Sequence, residues 1–247
     1  MKNPVFIATA AIALAAAAAH GAVIQSQGFE GTPTQGWGYA LTGTGGSVSN
    51  ESLAADAPAS SRVRSGSYSF QHSATAASVQ ASTLAFDPVS LTDYEDVAVE
   101  LRLASISKTS GNGNDNADLV QVFIALDGAA FSATADLTVE GNANARWSYT
   151  SGTGVAEVTV GTPVPKFQPA GGASRTTDGY SKLLLNIPDS AASFALKVVS
   201  TNNATGEIWA IDDVSVSGTL KTVPEPASLG LLVLGGVATV AVRRRMA

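Results

Sequence analysis

No cysteine occurs among the 247 residues, so no disulfide staples this fold and its stability rests on packed area and polar contacts. Histidine is almost as scarce, with only His20 and His72 in the chain. No Gly-x-Ser-x-Gly elbow accompanies His72, and Gly66-Ser67-Tyr68-Ser69 reads as the start of a strand, so Ser-His-Asp catalysis has no visible framework. Basic residues are outnumbered by acidic ones, 14 to 20, and no basic stripe is present, which excludes a nucleic-acid surface. There is no convincing amphipathic helix and no repeat of fixed period, which argues against a helical domain and against a parallel β-helix.

Long apolar runs do occur, and only at the two ends. Residues 1–22 place Lys2 before an uninterrupted alanine-rich stretch that closes on small residues, the layout of a secretory signal peptide cut by signal peptidase near residues 20–23. At the other end Pro224-Glu225-Pro226 leads into an uncharged run, residues 227–242, which meets Arg243, Arg244 and Arg245. At about 1.5 Å per residue that run makes a helix of about 24 Å, short for a bilayer but able to span it with snorkelling arginines. The arginines would stay cytoplasmic and the remainder of the chain outside.

This tail resembles the PEP-CTERM sorting signal of exported bacterial proteins. The resemblance implies Pro224, Glu225 and Pro226 as the recognition motif, residues 229–242 as a transient membrane anchor, and Arg243 to Arg245 as the stop. It further implies processing by the membrane protease exosortase, with the product ending at the cell surface, the outer membrane or outside the cell. Residues 223–247 are therefore read as a sorting tail and residues 23–222 as one exported domain with a net charge of −9.

Within that domain the apolar residues mostly alternate. Tyr94 to Ala104 is the clearest half-buried strand, with Val97, Val99, Leu101 and Leu103 on one face. Leu119 to Leu126, closed by Asp127-Gly128, is the next. Shorter strands are expected at 68–70, 78–82, 133–139, 146–149, 155–160, 182–187 and 193–200, and a long one at 207–218 that sets Ile208, Ala210, Asp212, Val214 and Val216 on one side. Many short strands with turn-rich joints predict an all-β, antiparallel β-sandwich of jelly-roll type.

Gln27-Gly28-Phe29-Glu30-Gly31, Val63 to Ser69 and the closing Ile211-Asp212-Asp213-Val214 resemble jelly-roll domains of the carbohydrate-binding-module type. That resemblance implies a structural calcium between the first and last strands, held by Glu30, Asp212 and Asp213 with a carbonyl near Gly66. Independently, alternation points the Asp212 carboxylate inward unless a bulge intervenes, so it needs either Ca²⁺ or hydrogen-bond donors. Residues 111–118 also cluster oxygen ligands but lack the glutamate that closes an EF-hand. They read as a solvated loop, with an accessory calcium or glycan loop as the other reading.

Sugar binding asks for exposed aromatic rings. Trp147 and Tyr149, two apart on a short strand, are the candidate ligand-binding pair, while the parity of Trp209 places it on the outer face or rim. Two functions stay open: a noncatalytic surface or extracellular-matrix protein that binds a glycan or packs within the envelope polymer layer, and a secreted polysaccharide-active enzyme using paired carboxylates. The first is the expectation carried forward, with no catalytic residue assigned.

Overall fold

The computed structural model describes residues 21–51, 62–108, 113–162, 166–171 and 176–221. The signal peptide expected at 1–22, apart from Gly21 and Ala22, lies outside them, as does the sorting tail at 223–247 with its apolar run. The described residues form two sheets and no helix.

Two fourteen-residue strands, β7 (Tyr94–Ser107) and β13 (Glu207–Leu220), make the spine of the first sheet. They pair antiparallel from Glu207 opposite Ser107 to Leu220 opposite Tyr94. β11 (Tyr180–Asn186) and then β10 (Gly154–Thr159) extend the sheet beyond β7, and β4 (Ser69–His72) and β3 (Gly46–Ser49) extend it beyond β13. β1 (Ala22–Gln27) pairs with the later half of β13. The second sheet runs β2 (Tyr39–Gly43), β5 (Gln80–Phe86), β12 (Ser193–Asn202), β8 (Leu119–Leu126) and β9 (Leu137–Glu140), with the two-residue β6 (Val89–Ser90) also on β12. All pairs are antiparallel except β10 with β11, which is parallel and uses the long connection 160–179 to return the chain in the same direction.

The two inner faces share one apolar core. Val97, Val99, Leu101 and Leu103 of β7 meet Val120, Val122 and Ile124 of β8 and Leu196 and Val198 of β12 in a single cluster. Phe29, Trp37, Tyr39, Phe70, Phe86 and Phe194 join it as a chain of tilted and edge-on ring contacts. Each buried indole has its donor satisfied: Trp37 by the carbonyl of Asp87, Trp147 by Tyr180 and Trp209 by Thr201.

The alternation of β13 is broken where the sequence shows no break. Its register slips between Asp212 and Ser215, and Asp213 takes a left-handed φ of 45°. This bulge adds a residue, so Trp209 and Ile211 before it and Val214 and Val216 after it all face the core. Trp209 is therefore at 0% exposure in the interior and not on the rim as its parity implied. Ile208, Ala210 and Asp212 take the outer face, where a second apolar cluster of Ala104, Ile106, Tyr149, Ile208 and Ala210 is roofed by neighbouring loops. The strand expected at 146–149 is replaced by isolated bridges, Ser105 with Trp147 and Asn114 with Ala145, because that segment meets β7 only at Ser105 and no ladder forms.

His72, on β4 opposite Trp209, is fully buried. Its Nε2 lies 3.2 Å from the Thr44 carbonyl and so carries the proton, while Nδ1 is buried with no partner among the described residues. Burial pushes its pKa from 6.5 down to about 4, against the smaller opposing pull of the Thr44 carbonyl. A depressed base binds its proton more readily unfolded, so its contribution is present above pH 6.5 and is lost as pH falls towards 4. The shift corresponds to about 3 kcal/mol. Chemical denaturation between pH 6.5 and 4 should therefore show the parent losing about 3 kcal/mol more than His72→Gln. Parallel pH profiles for the two proteins would contradict a neutral buried imidazole.

Candidate functional site

The expected metal-site acids are positioned by the end of β1. The buried Gln27 amide donates to the carbonyls of Gln35 at 2.8 Å and Trp37 at 2.9 Å, and its Oε1 accepts the Phe29 N–H at 2.6 Å. That clamp holds Phe29 at a left-handed φ of 60° with its ring in the core, leaving Glu30 exposed. The Glu30 carboxylate accepts the N–H groups of Ser67 and Tyr68 at 2.8–2.9 Å. Gly66 lets it come so close: φ there is 65°, and a Cβ would sit 2.3 Å from the carboxylate carbon.

Asp212 holds the same segment from the other side. Its Oδ2 accepts the Arg64 N–H at 2.8 Å and the Ser65 N–H at 3.2 Å, and its Oδ1 accepts the Asp213 N–H at 2.8 Å. Burial pushes its pKa up to about 6, outweighing those three donors. Asp213 pairs with the Arg64 guanidinium and accepts the Ser65 hydroxyl at 2.6 Å.

All three acids thus close on residues 64–68, but as acceptors for N–H, O–H and guanidinium donors. A cation there would have to displace Arg64 from Asp213 and N–H groups from Glu30 and Asp212. Nor do the three meet as a carboxylate cluster among the described residues. As placed, they fit a hydrogen-bonded lashing of the loop and do not fit the calcium site that the resemblance implied.

The aromatic pair is corrected outright. Trp147 and Tyr149 are at 1% and 7% exposure and belong to different clusters. Trp147 packs edge-on against Trp209 at 5.7 Å between the sheets. Tyr149 turns the other way, onto the outer apolar cluster, with its hydroxyl donating to the Arg62 carbonyl at 3.0 Å. Neither ring offers a face to a sugar. Among the described Trp and Tyr residues, Tyr68 is the exposed one, at 38%.

Among the described residues, the outside of the first sheet presents two grooves. One, of ≈ 320 Å³, is lined by Ser47, Ser49, Glu51, Gln71, Ser73 and Lys108, among others. The other, of ≈ 410 Å³, runs past Ser26, Arg64, Glu100, Arg102 and Asp213. Its acids are neutralised in place, Glu100 by Arg102 at 2.8 Å and Lys182 at 2.6 Å and Asp213 by Arg64.

One acidic group was not assembled by the sequence reading. Asp115 and Asp118, in the loop before β8, approach Glu207 at the head of β13 so that one carboxylate oxygen from each lies within 4.8 Å of the others. Asp118 and Glu207 are buried, and burial followed by the neighbouring carboxylate charges raises both above the ordinary carboxylate range. The loop was visible as an oxygen-rich stretch, but its third member lies far along the chain.

Residues 222–245 match the family model described as the PEP-CTERM protein-sorting motif, which takes in Pro224 to Pro226 and Arg243 to Arg245 and is the routing signal of an exported protein. No curated protein matches the chain. Similar solved structures include a family 61 carbohydrate-binding module in complex with β-1,4-galactotriose, at 12% identity and TM-score 0.41, covering 76% of this chain and 92% of that one. The C-terminal family 22 module of Clostridium thermocellum Xyn10B is similar at 13% identity and TM-score 0.37, over 82% and 97% of the two chains. A mannan-recognising family 27 module is similar at 10% identity and TM-score 0.36, over 83% and 100%.

The lashing of residues 64–68 makes buried and half-exposed neighbours unequal. Asp212→Ala strands the Arg64, Ser65 and Asp213 N–H groups and should lower unfolding stability by about 2–3 kcal/mol. Asp213→Asn keeps a residue tolerant of left-handed φ, loses one partly exposed ion pair and should cost about 1 kcal/mol or less. Urea unfolding of both variants measures the difference, and equal losses would show that Asp212 does not anchor the loop.

Proposed function

We propose that this exported chain is a noncatalytic surface or matrix protein whose sandwich binds polysaccharide in the hydroxyl-lined groove beside β3 and β4. The observation that carries the reading is the groove's lining. Ser47, Ser49, Ser73 and Thr75 place hydroxyl groups along one ≈ 320 Å³ depression, with Lys108 at its side and Gln71 beneath, its amide bonded to the Ser49 and Glu51 carbonyls. Such groups match the alternating donors and acceptors of a sugar chain, and the volume suits a few sugar units. Recognition here proceeds by hydrogen bonds, since the candidate stacking rings are interior.

The noncatalytic part of the reading is supported by the pairing of the acids. Glycoside hydrolysis needs two carboxylates facing one bond, roughly 5–9.5 Å apart. Glu51 is the one carboxylate among the residues lining this groove, and it is paired with Arg62 at 3.2 Å. In the second groove Glu100 and Asp213 are held by their cations. Exosortase would remove the tail after export, leaving the domain at the surface or in the matrix, where an envelope polymer is the accessible ligand.

Retention on a panel of polysaccharide gels, with reducing ends assayed in parallel, tests this. The parent protein should be retained without releasing new ends. Ser47→Trp, which fills the groove from an exposed position, and Lys108→Ala should each weaken retention about tenfold, or ~1.4 kcal/mol, with an unchanged melt. Retention that ignores both substitutions would remove the groove from the reading, and cleavage abolished by Glu51→Gln would replace the binder with an enzyme.

A further inference from the structure

We infer that Asp115, Asp118 and Glu207 form a binding site for a hard divalent cation, calcium by the character of its donors. This site is separate from the polysaccharide groove and does not depend on it. Oxygens bound to one Ca²⁺ at about 2.3–2.6 Å are at most about 5 Å apart. One oxygen from each of these three carboxylates lies within 4.8 Å of the other two. Among the described residues this is the one group of three His, Cys, Asp or Glu side chains that meets such a limit.

The second observation is an acceptor with nothing to accept. Glu207 is at 4% exposure, and its Oε2 is buried with no hydrogen-bond partner among the described residues. The described ion pairs reach none of the three acids. A buried carboxylate oxygen beside two other carboxylates calls for compensation, either a bound cation or a proton shared between Glu207 and Asp118. This is the reverse of Asp212, whose oxygens have N–H donors from three residues.

The surroundings hold the acids in place while leaving that charge unsupplied. Asp118 Oδ2 accepts the Asp115 N–H at 2.7 Å and its Oδ1 the Asn203 N–H at 3.0 Å, while Asp115 Oδ1 accepts the Ala117 N–H at 2.7 Å. Asn114 ties the loop to Ser105, to the Ile208 carbonyl and to Asn202 at 2.8–3.0 Å, all neutral contacts. With carboxylates alone, and no histidine or cysteine in the group, the donor set suits a hard cation and not zinc or copper.

The test uses the full-length protein in mild detergent, stripped with EDTA and returned to metal-free buffer. Adding CaCl2 should raise the melt by about 5 °C or more at a hundredfold excess over Kd. Glu207→Gln and the half-exposed Asp115→Asn should each weaken calcium binding at least about tenfold by isothermal titration. Asp115→Asn guards against a Glu207 variant that fails to fold. Glu30→Gln should leave the calcium response intact. The inference is overturned if the stripped protein melts identically with and without CaCl2, as it would were a shared proton the only compensation. It is equally overturned if the response survives in Asp115→Asn and Glu207→Gln but disappears in Glu30→Gln.

Discussion

Everything outside the core of this sandwich depends on one backbone event, the bulge at Asp212 and Asp213 in β13. A strand of fourteen residues that kept strict alternation would have put Trp209 and Val214 on opposite faces. By inserting a left-handed residue, β13 sends the apolar side chains of both its halves inward and turns Asp212 outward under a roof of loops. The first half pairs with β4 and the second with β1, so the bulge is also where the sheet exchanges one neighbour for another. Loop 64–68 crosses that exchange point and is fastened there by Asp212.

The two buried acids of β13 show how the same cost is met in two ways. A carboxylate withdrawn from water loses several kcal/mol of hydration unless donors replace it. Asp212 sits where a loop backbone supplies N–H groups, and these satisfy it without any cation. Glu207 sits where the facing residues are Asp115 and Asp118, so its neighbours add negative charge instead of relieving it. Five residues apart on one strand, the first is a structural anchor and the second asks for a ligand.

Strands were legible wherever alternation and a long partner coincided. Residues 119–126 and the β7 face of Val97, Val99, Leu101 and Leu103 could be read directly, because both run through the middle of a sheet and their pattern reports burial alone. Residues 146–149 alternate just as well, yet Trp147 meets Ser105 through one bridge and its ring is drawn to Trp209, so local pattern overstated the ladder. The bulge left no mark in the alternation of residues 208–216. Its only trace is the Asp212-Asp213 pair, since aspartate tolerates a positive φ better than most residues. The acidic group was illegible for a topological reason. Residues 111–118 showed two of its carboxylates, but the third arrives through the antiparallel register that sets Glu207 opposite Ser107, and register is a property of the assembled sheet.

A domain with no cysteine must fasten its loops with polar side chains, and that choice shapes its outer face. Gln27 makes three bonds across residues 28–37, Asp212 three across the bulge and loop 64–65, and Asp127 accepts two N–H groups from residues 192–193. At about 1 kcal/mol net per bond, a side chain with three approaches the 2–4 kcal/mol of a disulfide. The large rings are then free to serve the core, where Trp37, Trp147 and Trp209 all lie at 2% exposure or less. What lines the two grooves outside is mostly hydroxyls and neutralised ion pairs. Such a face exchanges water for a sugar's hydroxyls at nearly even cost, so each site gains little and many copies displayed together gain much. Under the proposed function, in which many copies of an exported protein share one polymer, weak sites of that kind add up.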